Sequence, residues 1–329
     1  MANQNAMTPI ESISQAIQED LLRLRYEDYP LLNVLRKASI KQQNIRWNAN
    51  VSTDASGAGQ TTISNAPNAT SDTVVNANLP IGDYAFRKTV QLPEIDIAQA
   101  SVAGIGELKN LVQAQTRSHV VQILREMNAS LYTGDGSVAH AGIYGLDEVA
   151  AQTGAYANIN QSTHSAWKGA FVLDNGGTGR ALTPKLLHDA DVLTYRQGTG
   201  RYNLIVTSPE LVAKYKELFS DERALYTPAV NGQADLGFSR VTYNGVPILF
   251  DRDCPVGSMY FVDTAYTSLY NFNINEKPNQ TNMSVNGLTF NVGMLPLQNQ
   301  YSRSFEIGII PQMQAYDRRA VGKISDLTV

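Results

Sequence analysis

The stretch NANVSTDASGAGQTTISNAPNATSDTVVNANLPIGDYAF, residues 48–86, decides how this chain reads. It contains no Lys or Arg, and its only charges are Asp54, Asp72 and Asp83. Across its start, Ile45, Trp47, Ala49 and Val51 alternate with Arg46, Asn48 and Asn50. That period of two predicts a strand with one buried face. Ser56-Gly57-Ala58-Gly59 and Ser64-Asn65-Ala66-Pro67-Asn68 read as a flexible tip. A returning strand is expected from about Thr73 to Leu92, with Tyr84, Phe86, Val90 and Leu92 as its apolar members. Limbs of about 15 residues reach roughly 50 Å at about 3.3 Å per residue. A lone two-stranded hairpin is marginal in water, and this one is too polar to make its own core. It is therefore either a disordered linker or a finger ordered by another copy of the chain. The strand patterns on both flanks favour the finger.

Downstream lies one long helix. Leu108, Val112, Thr116, Val120, Ile123, Met127 and Leu131 fall on one face at steps of three and four, and Gly134-Asp135-Gly136 stops the run. From Glu107 to Thr133 it spans roughly 40 Å at about 1.5 Å per residue. Charged positions do not repeat over many heptads, so the expectation is a single helix on a sheet, not a coiled coil. Upstream, Thr8-Pro9-Ile10-Glu11 is a helix opening, followed by Ile10, Ile13, Ile17, Leu21 and Leu24 at helical spacing. Glu11, Glu19 and Asp20 make its other side acidic. It should end before Tyr29-Pro30, with a second short helical patch through Leu35. One apolar stripe fits a helix packed on its own domain and an arm lying on a neighbour equally well.

Beyond Gly136 the pattern is mixed. Residues 137–180, rich in Gly, Ala, Asn and Thr, carry no clear period. Thr183-Pro184 and Ser208-Pro209 open two helices around a buried-type strand, Tyr202–Thr207. Val241–Tyr243, then Asn244-Gly245, then Val246–Phe250 is a hairpin with the dipeptide favoured in type I′ turns. Ser258–Val262, Thr267–Tyr270, Phe305–Ile310 and Gln312–Tyr316 complete the strands.

Composition narrows the function. At 329 residues, 43% hydrophobic and 17% charged, the chain is globular and large enough for two domains. No apolar run reaches the roughly 18 residues of a membrane span, and the first residues lack the regions of a signal peptide. Cys254 is the only cysteine, which excludes an internal disulfide and a thiolate metal cluster and fits intracellular synthesis. Net charge is −4 with scattered cations, which argues against dedicated nucleic-acid recognition.

Candidate chemistry is thin. His188-Asp189, with Asp191 nearby, resembles the centre of a His-Asp phosphohydrolase signature but lacks further ligands, so helix surface polarity explains it better. His119 flanks the apolar face of the long helix and reads as a packed or interface histidine. His140 and His164 have no ligand spacing. Cys254 sits in a turn whose two carboxylates, Asp251 and Asp253, disfavour its thiolate. Gly176-Gly177-Thr178-Gly179-Arg180 lacks the ending of a phosphate loop and reads as a mobile surface loop. No catalytic, cofactor or metal residue is assigned.

The order of these elements resembles the major capsid proteins of tailed bacteriophages with the Hong Kong 97-type fold, an α+β architecture. The likeness runs from about residue 30 to the end. Its most specific stretches are Tyr202–Phe219 and Tyr243–Asp251, followed by Cys254–Val262, which look like that family's axial domain. The resemblance implies an N-terminal arm over 1–44 and an extended loop over 45–92. It implies a peripheral domain over 93–139 and 299–329, with a spine helix over 105–133, and an axial domain over 140–298. It implies self-assembly as hexamers and pentamers into an icosahedral shell around double-stranded DNA, without sequence-specific contacts, in the host bacterial cytoplasm. Partners implied are a separate scaffolding protein, a portal and a cement or decoration protein. Some relatives carry a cleaved N-terminal scaffold domain, whereas this chain begins almost at the arm. Others crosslink a loop Lys to a neighbour's Asn, and residues 48–86 have no Lys, so covalent linkage by the tip is not expected. Trp47, Asp54, Asp72, Asp83, Arg87 and Lys88 are the expected inter-subunit contacts, with Arg87 and Lys88 meeting acidic residues on a neighbour. The alternatives are an encapsulin-like compartment shell, a tail or fibre component, and a hydrolase with a site near His188, Asp189 or Asp191.

Overall fold

The computed structural model describes residues 29–51, 74–81, 84–93, 95, 105–218, 241–273, 280–285, 287–295 and 302–329. The expected N-terminal helix, the hairpin tip and Asp54, Asp72 and Asp83 lie outside the described residues.

Pro30 stands at the start of a short helix, α1 (Pro30–Val34), where its missing N–H costs nothing. β1 (Arg36–Ile40) and β2 (Asn44–Asn50) follow, and β3 (Val74–Pro80) returns antiparallel to β2 with Trp47 opposite Ala77. The returning limb is not the single strand expected over 73–92. It breaks after Pro80, which cannot donate to a ladder, and resumes as β4 (Phe86–Pro93). Tyr84, expected on the apolar side, lies in this break and is 42% exposed. Nor is the hairpin base short of a core: Ile45, Ala49, Val51, Ala77 and Leu79 are all buried in the chain's own main cluster. The expectation of a finger with no core of its own therefore does not hold for this base.

α2 (Ile105–Thr133) runs for 29 residues, roughly 43 Å at about 1.5 Å per residue. Of its predicted stripe, Val120, Ile123, Met127 and Leu131 are buried, together with Leu124 and Tyr132. The chain continues through α3 (Leu146–Ala150), β5 (Ala155–Tyr156), β6 (Ile159–Asn160), β7 (Phe171–Leu173) and α4 (Pro184–Gln197). β8 (Leu204–Thr207), α5 (Pro209–Leu218), β9 (Val241–Tyr243), β10 (Val246–Phe250) and β11 (Met259–Val262) come next. β12 (Thr267–Phe272), β13 (Gln280–Val285), β14 (Leu288–Met294), β15 (Ser302–Ile309), β16 (Pro311–Ala315) and β17 (Val321–Ile324) complete it.

Local chemistry explains the boundaries. Thr183 caps α4, its hydroxyl accepting from the Leu186 amide at 3.3 Å. Ser208 does not cap α5 in that way: its buried hydroxyl finds no partner among the described residues. Asn244 and Gly245 turn the β9–β10 hairpin at φ 48° and 78°, as a type I′ turn requires.

Three sheets organise the body: β1-β12-β16, β13-β14-β15-β4 and β7-β17-β11-β8-β10-β9. β8 is buried along its whole length because both faces of the six-stranded sheet are covered. Alternation then divides it between two cores. Ile205, Met259 and Phe261 join the cluster under α4 and α5. Leu204, Val206, Tyr260 and Val262 join the main cluster with α2 and the hairpin base. β17 belongs to this six-stranded sheet, while β13 and β14 extend the four-stranded one. Sheet membership therefore cuts across the division expected at 139/140 and 298/299.

Candidate assembly surface

β2 lays its apolar residues on the body, with Trp47 only half-buried at the edge of that contact. The Trp47 indole N–H donates to the Tyr316 carbonyl at 3.0 Å, and the two rings meet edge-on with centroids 5.9 Å apart. Tyr316 is 42% exposed, and its hydroxyl lies 3.2 Å from that of Tyr270. Trp47, Tyr316 and Tyr270 thus form an aromatic ledge beside the hairpin, tied to the body on one side and open on the other.

The hairpin exit is fastened by a residue that sequence reading passed over. Gln312, buried in β16, donates to the carbonyls of Pro80 and Gly142, both at 2.8 Å. Its own oxygen accepts from the amides of Tyr144 and Met313 at 3.1 Å. One amide therefore joins the end of β3, the loop after α2 and the three-stranded sheet. Two glutamines, Gln312 and Gln314, in one short strand are the signal that could have found it, because a buried amide has up to four bonds to satisfy internally.

Arg87 and Lys88 stand on β4, opposite Gly308 and Ile307 of β15. Each already has a carboxylate in its own chain: Arg87 lies 3.3 Å from Glu306 and Lys88 3.0 Å from Glu126. With side chains 67% and 27% exposed in the first pair, and 31% and 51% in the second, solvent screens both. The structure places Trp47 on one sheet and Arg87 and Lys88 on another.

The enzyme-like residues form no reactive arrangement. Asp189 points to Lys185 in an exposed pair one helical turn away, at 2.7 Å. Asp191 instead accepts from the Tyr202 and Tyr243 hydroxyls and, at 2.6 Å, from the Asn244 amide. His188 Nδ1 lies 3.2 Å from the same Tyr243 hydroxyl. Burial, and after it the Asp191 charge, pushes both phenols up. These bonds tie α4 to the β9–β10 turn. Cys254 is buried, and desolvation, then Asp251 and Asp147, pushes its thiol well above the ordinary value. No group of three or more metal-ligating side chains occurs among the described residues. The glycine loop expected to be mobile is pinned, because the Asp326 carboxylate accepts from the amides of Asn175 and Gly177 at 2.7 and 3.0 Å. No described helix is long and apolar enough to cross a membrane.

A family model described as SU10 major capsid protein matches residues 2–296. No curated protein matches the chain. Among solved structures, the fold is similar to the capsid of cyanophage A-1(L), with TM-score 0.76 and 22% identity over 93% of this chain and 95% of that one. It is also similar to the chain of Mycobacterium phage Adephagia, with TM-score 0.54 and 12% identity over 94% and 93%. The SrpI encapsulin of Synechococcus elongatus PCC 7942 gives TM-score 0.58 and 11% identity over 91% and 87%. At these identities the solved structures speak to fold, and that fold is the expected Hong Kong 97-type one.

Proposed function

This chain belongs to the SU10 major capsid protein family, and we propose that its copies gather as hexamers and pentamers into a closed icosahedral shell around double-stranded DNA. It is a capsid shell protein and a component of the virion capsid. The family match over residues 2–296 carries this reading. The subunit acts by fitting and not by catalysis, in line with the structural roles of Asp189, Asp191 and Cys254 described above. Assembly takes place in the host cytoplasm with a separate scaffolding protein, a portal and a cement or decoration protein.

The six-stranded sheet with α4 and α5 would serve as the axial domain, now including β17. The peripheral domain would be α2 with the sheet β13-β14-β15-β4, the three-stranded sheet joining the two. Residues 1–44 would be the arm and 45–92 the extended loop, lying over an adjacent subunit. Trp47, Asp54, Asp72, Asp83, Arg87 and Lys88 would meet that subunit, the open side of the aromatic ledge offering Trp47 an apolar contact.

Negative-stain imaging of the expressed protein, with and without a scaffold, tests the reading. Closed isometric particles are the expected outcome, while tubes or isolated trimers would overturn it. Nuclease-protected DNA in particles from infected cells separates a genome shell from a cargo compartment of encapsulin type.

A further inference from the structure

Asp251 closes β10 at the point where the six-stranded sheet meets α2, and it is 1% exposed. From α2, the Asn128 amide nitrogen lies 3.0 and 2.9 Å from its two oxygens, and the Tyr132 hydroxyl donates to Oδ2 at 2.7 Å. From its own turn, the Asp253 amide donates to Oδ1 at 2.9 Å. The nearby cations are engaged elsewhere. Arg125 and Arg252 lie 3.4 and 4.0 Å from Asp253, and Lys323 lies 2.6 Å from Asp147. The Tyr260 hydroxyl also faces Asp147, and the buried Cys254 thiol adds no positive charge. Glu210 on α5 adds another negative charge near that thiol. Among the described residues Asp251 is therefore a buried carboxylate held by neutral donors alone.

Asn128 supplies the second observation. It is fully buried, and its carbonyl oxygen has no hydrogen-bond partner among the described residues. Its nitrogen meanwhile serves Asp251 and, at 3.1 Å, Asp253. An orphaned buried acceptor calls for a donor. Turning the amide over brings that oxygen to Asp251, and only a protonated carboxyl has a hydrogen to give it.

We propose that Asp251 and Asn128 form a proton-sensitive clasp between the long helix and the six-stranded sheet, with two hydrogen-bonded settings. In the ionised setting the Asn128 N–H groups and the Tyr132 hydroxyl donate to the carboxylate. In the other, a proton taken from solvent sits on Asp251 and is donated to the turned Asn128 oxygen, while Tyr132 still donates to the second carboxyl oxygen. Asp253 then loses the Asn128 donor but keeps Arg125 and Arg252, and the Asn128 N–H groups take the place where its oxygen had no partner.

The sign follows from burial, which raises the Asp251 pKa against the opposing pull of Tyr132 and Asn128. A carboxyl whose folded pKa lies above its unfolded value stabilises the fold below the unfolded value, and that contribution is lost as pH rises through the folded one. The clasp tightens on acidification and slackens toward alkaline pH. This inference concerns the subunit itself and stands apart from the shell assignment.

Melting of the full chain from about pH 4, the ordinary carboxylate range, to about pH 8, compared with Asp251→Asn, provides the test. The variant fixes the protonated pattern, its amide N–H reaching Asn128 and its carbonyl taking Tyr132. Wild type should lose stability relative to Asp251→Asn as pH rises. A flat difference, or one of opposite slope, overturns the proposal. Infrared titration of the protonated carboxyl band supplies an independent reading in wild type and Tyr132→Phe. Removing the phenol donor should move the midpoint up by about one pH unit. An unmoved midpoint overturns the proposal as well.

Discussion

Arg318 is a fully buried cation that meets backbone carbonyls instead of a carboxylate. Its guanidinium donates to the carbonyls of Val149, Trp167, Glu148 and Ala151 at 3.2, 3.1, 2.8 and 2.8 Å. Three of these acceptors belong to the end of α3, so the cation satisfies orphan carbonyls and opposes the helix dipole there. Arg318→Met should lower the free energy of unfolding by about 3–5 kcal/mol, because the buried Glu148, Val149 and Trp167 carbonyls lose this donor and Ala151 keeps only the Gly169 amide. Arg318→Lys keeps the charge but lacks the planar fork, and a loss of about 1–3 kcal/mol is expected. Urea unfolding checks both, and two near-neutral results would remove the plug from the account. Nothing in Asp317-Arg318-Arg319 signals this role. Its neighbour Arg319 makes the local pair that such a triplet predicts, with Asp317 at 2.8 Å. Asp251 and Gln312 were hidden for the same reason: their partners lie far away in the chain.

Elements were more legible than residues, because period and turn chemistry are written locally. The Asn244-Gly245 turn needs positive φ at both positions. A Cβ at Gly245 would meet nothing within 4 Å, so Gly245→Ala isolates the backbone cost, about 1–2 kcal/mol, readable as a lowered melting temperature. The long helix announced itself by its stripe. Met127 on that stripe is fully buried, and Met127→Ala should cost about 2–5 kcal/mol by leaving a cavity between α2 and the main core. The returning limb of the hairpin was harder, since alternation continues through Pro80 while the strand changes partner. β4 pairs with β15, more than 200 residues away in sequence, and such a pairing leaves no local trace. The same limit hid the placement of β17, which lies between β7 and β11, both far away in sequence.

At the scale of the molecule, Arg87 decides between two accounts of the hairpin root. In the subunit it pairs with Glu306 across the β4–β15 ladder. In the proposed shell it also meets acidic residues of a neighbour. Screening makes the internal pair worth at most about 1 kcal/mol, so its loss alone should barely move the melting of the isolated subunit. Arg87→Glu places like charges side by side within the chain and reverses the sign offered to a neighbour. Adding Glu306→Arg restores the internal pair and leaves the reversed charge at position 87. If the shell contact is real, both variants should assemble poorly while the double variant melts like wild type as a subunit. If the double variant recovers particle yield along with subunit stability, Arg87 serves only its own sheet. Unchanged yield in Arg87→Glu would dismiss position 87 from the interface and leave Lys88 and the aromatic ledge around Trp47 as the proposed contacts among the described residues.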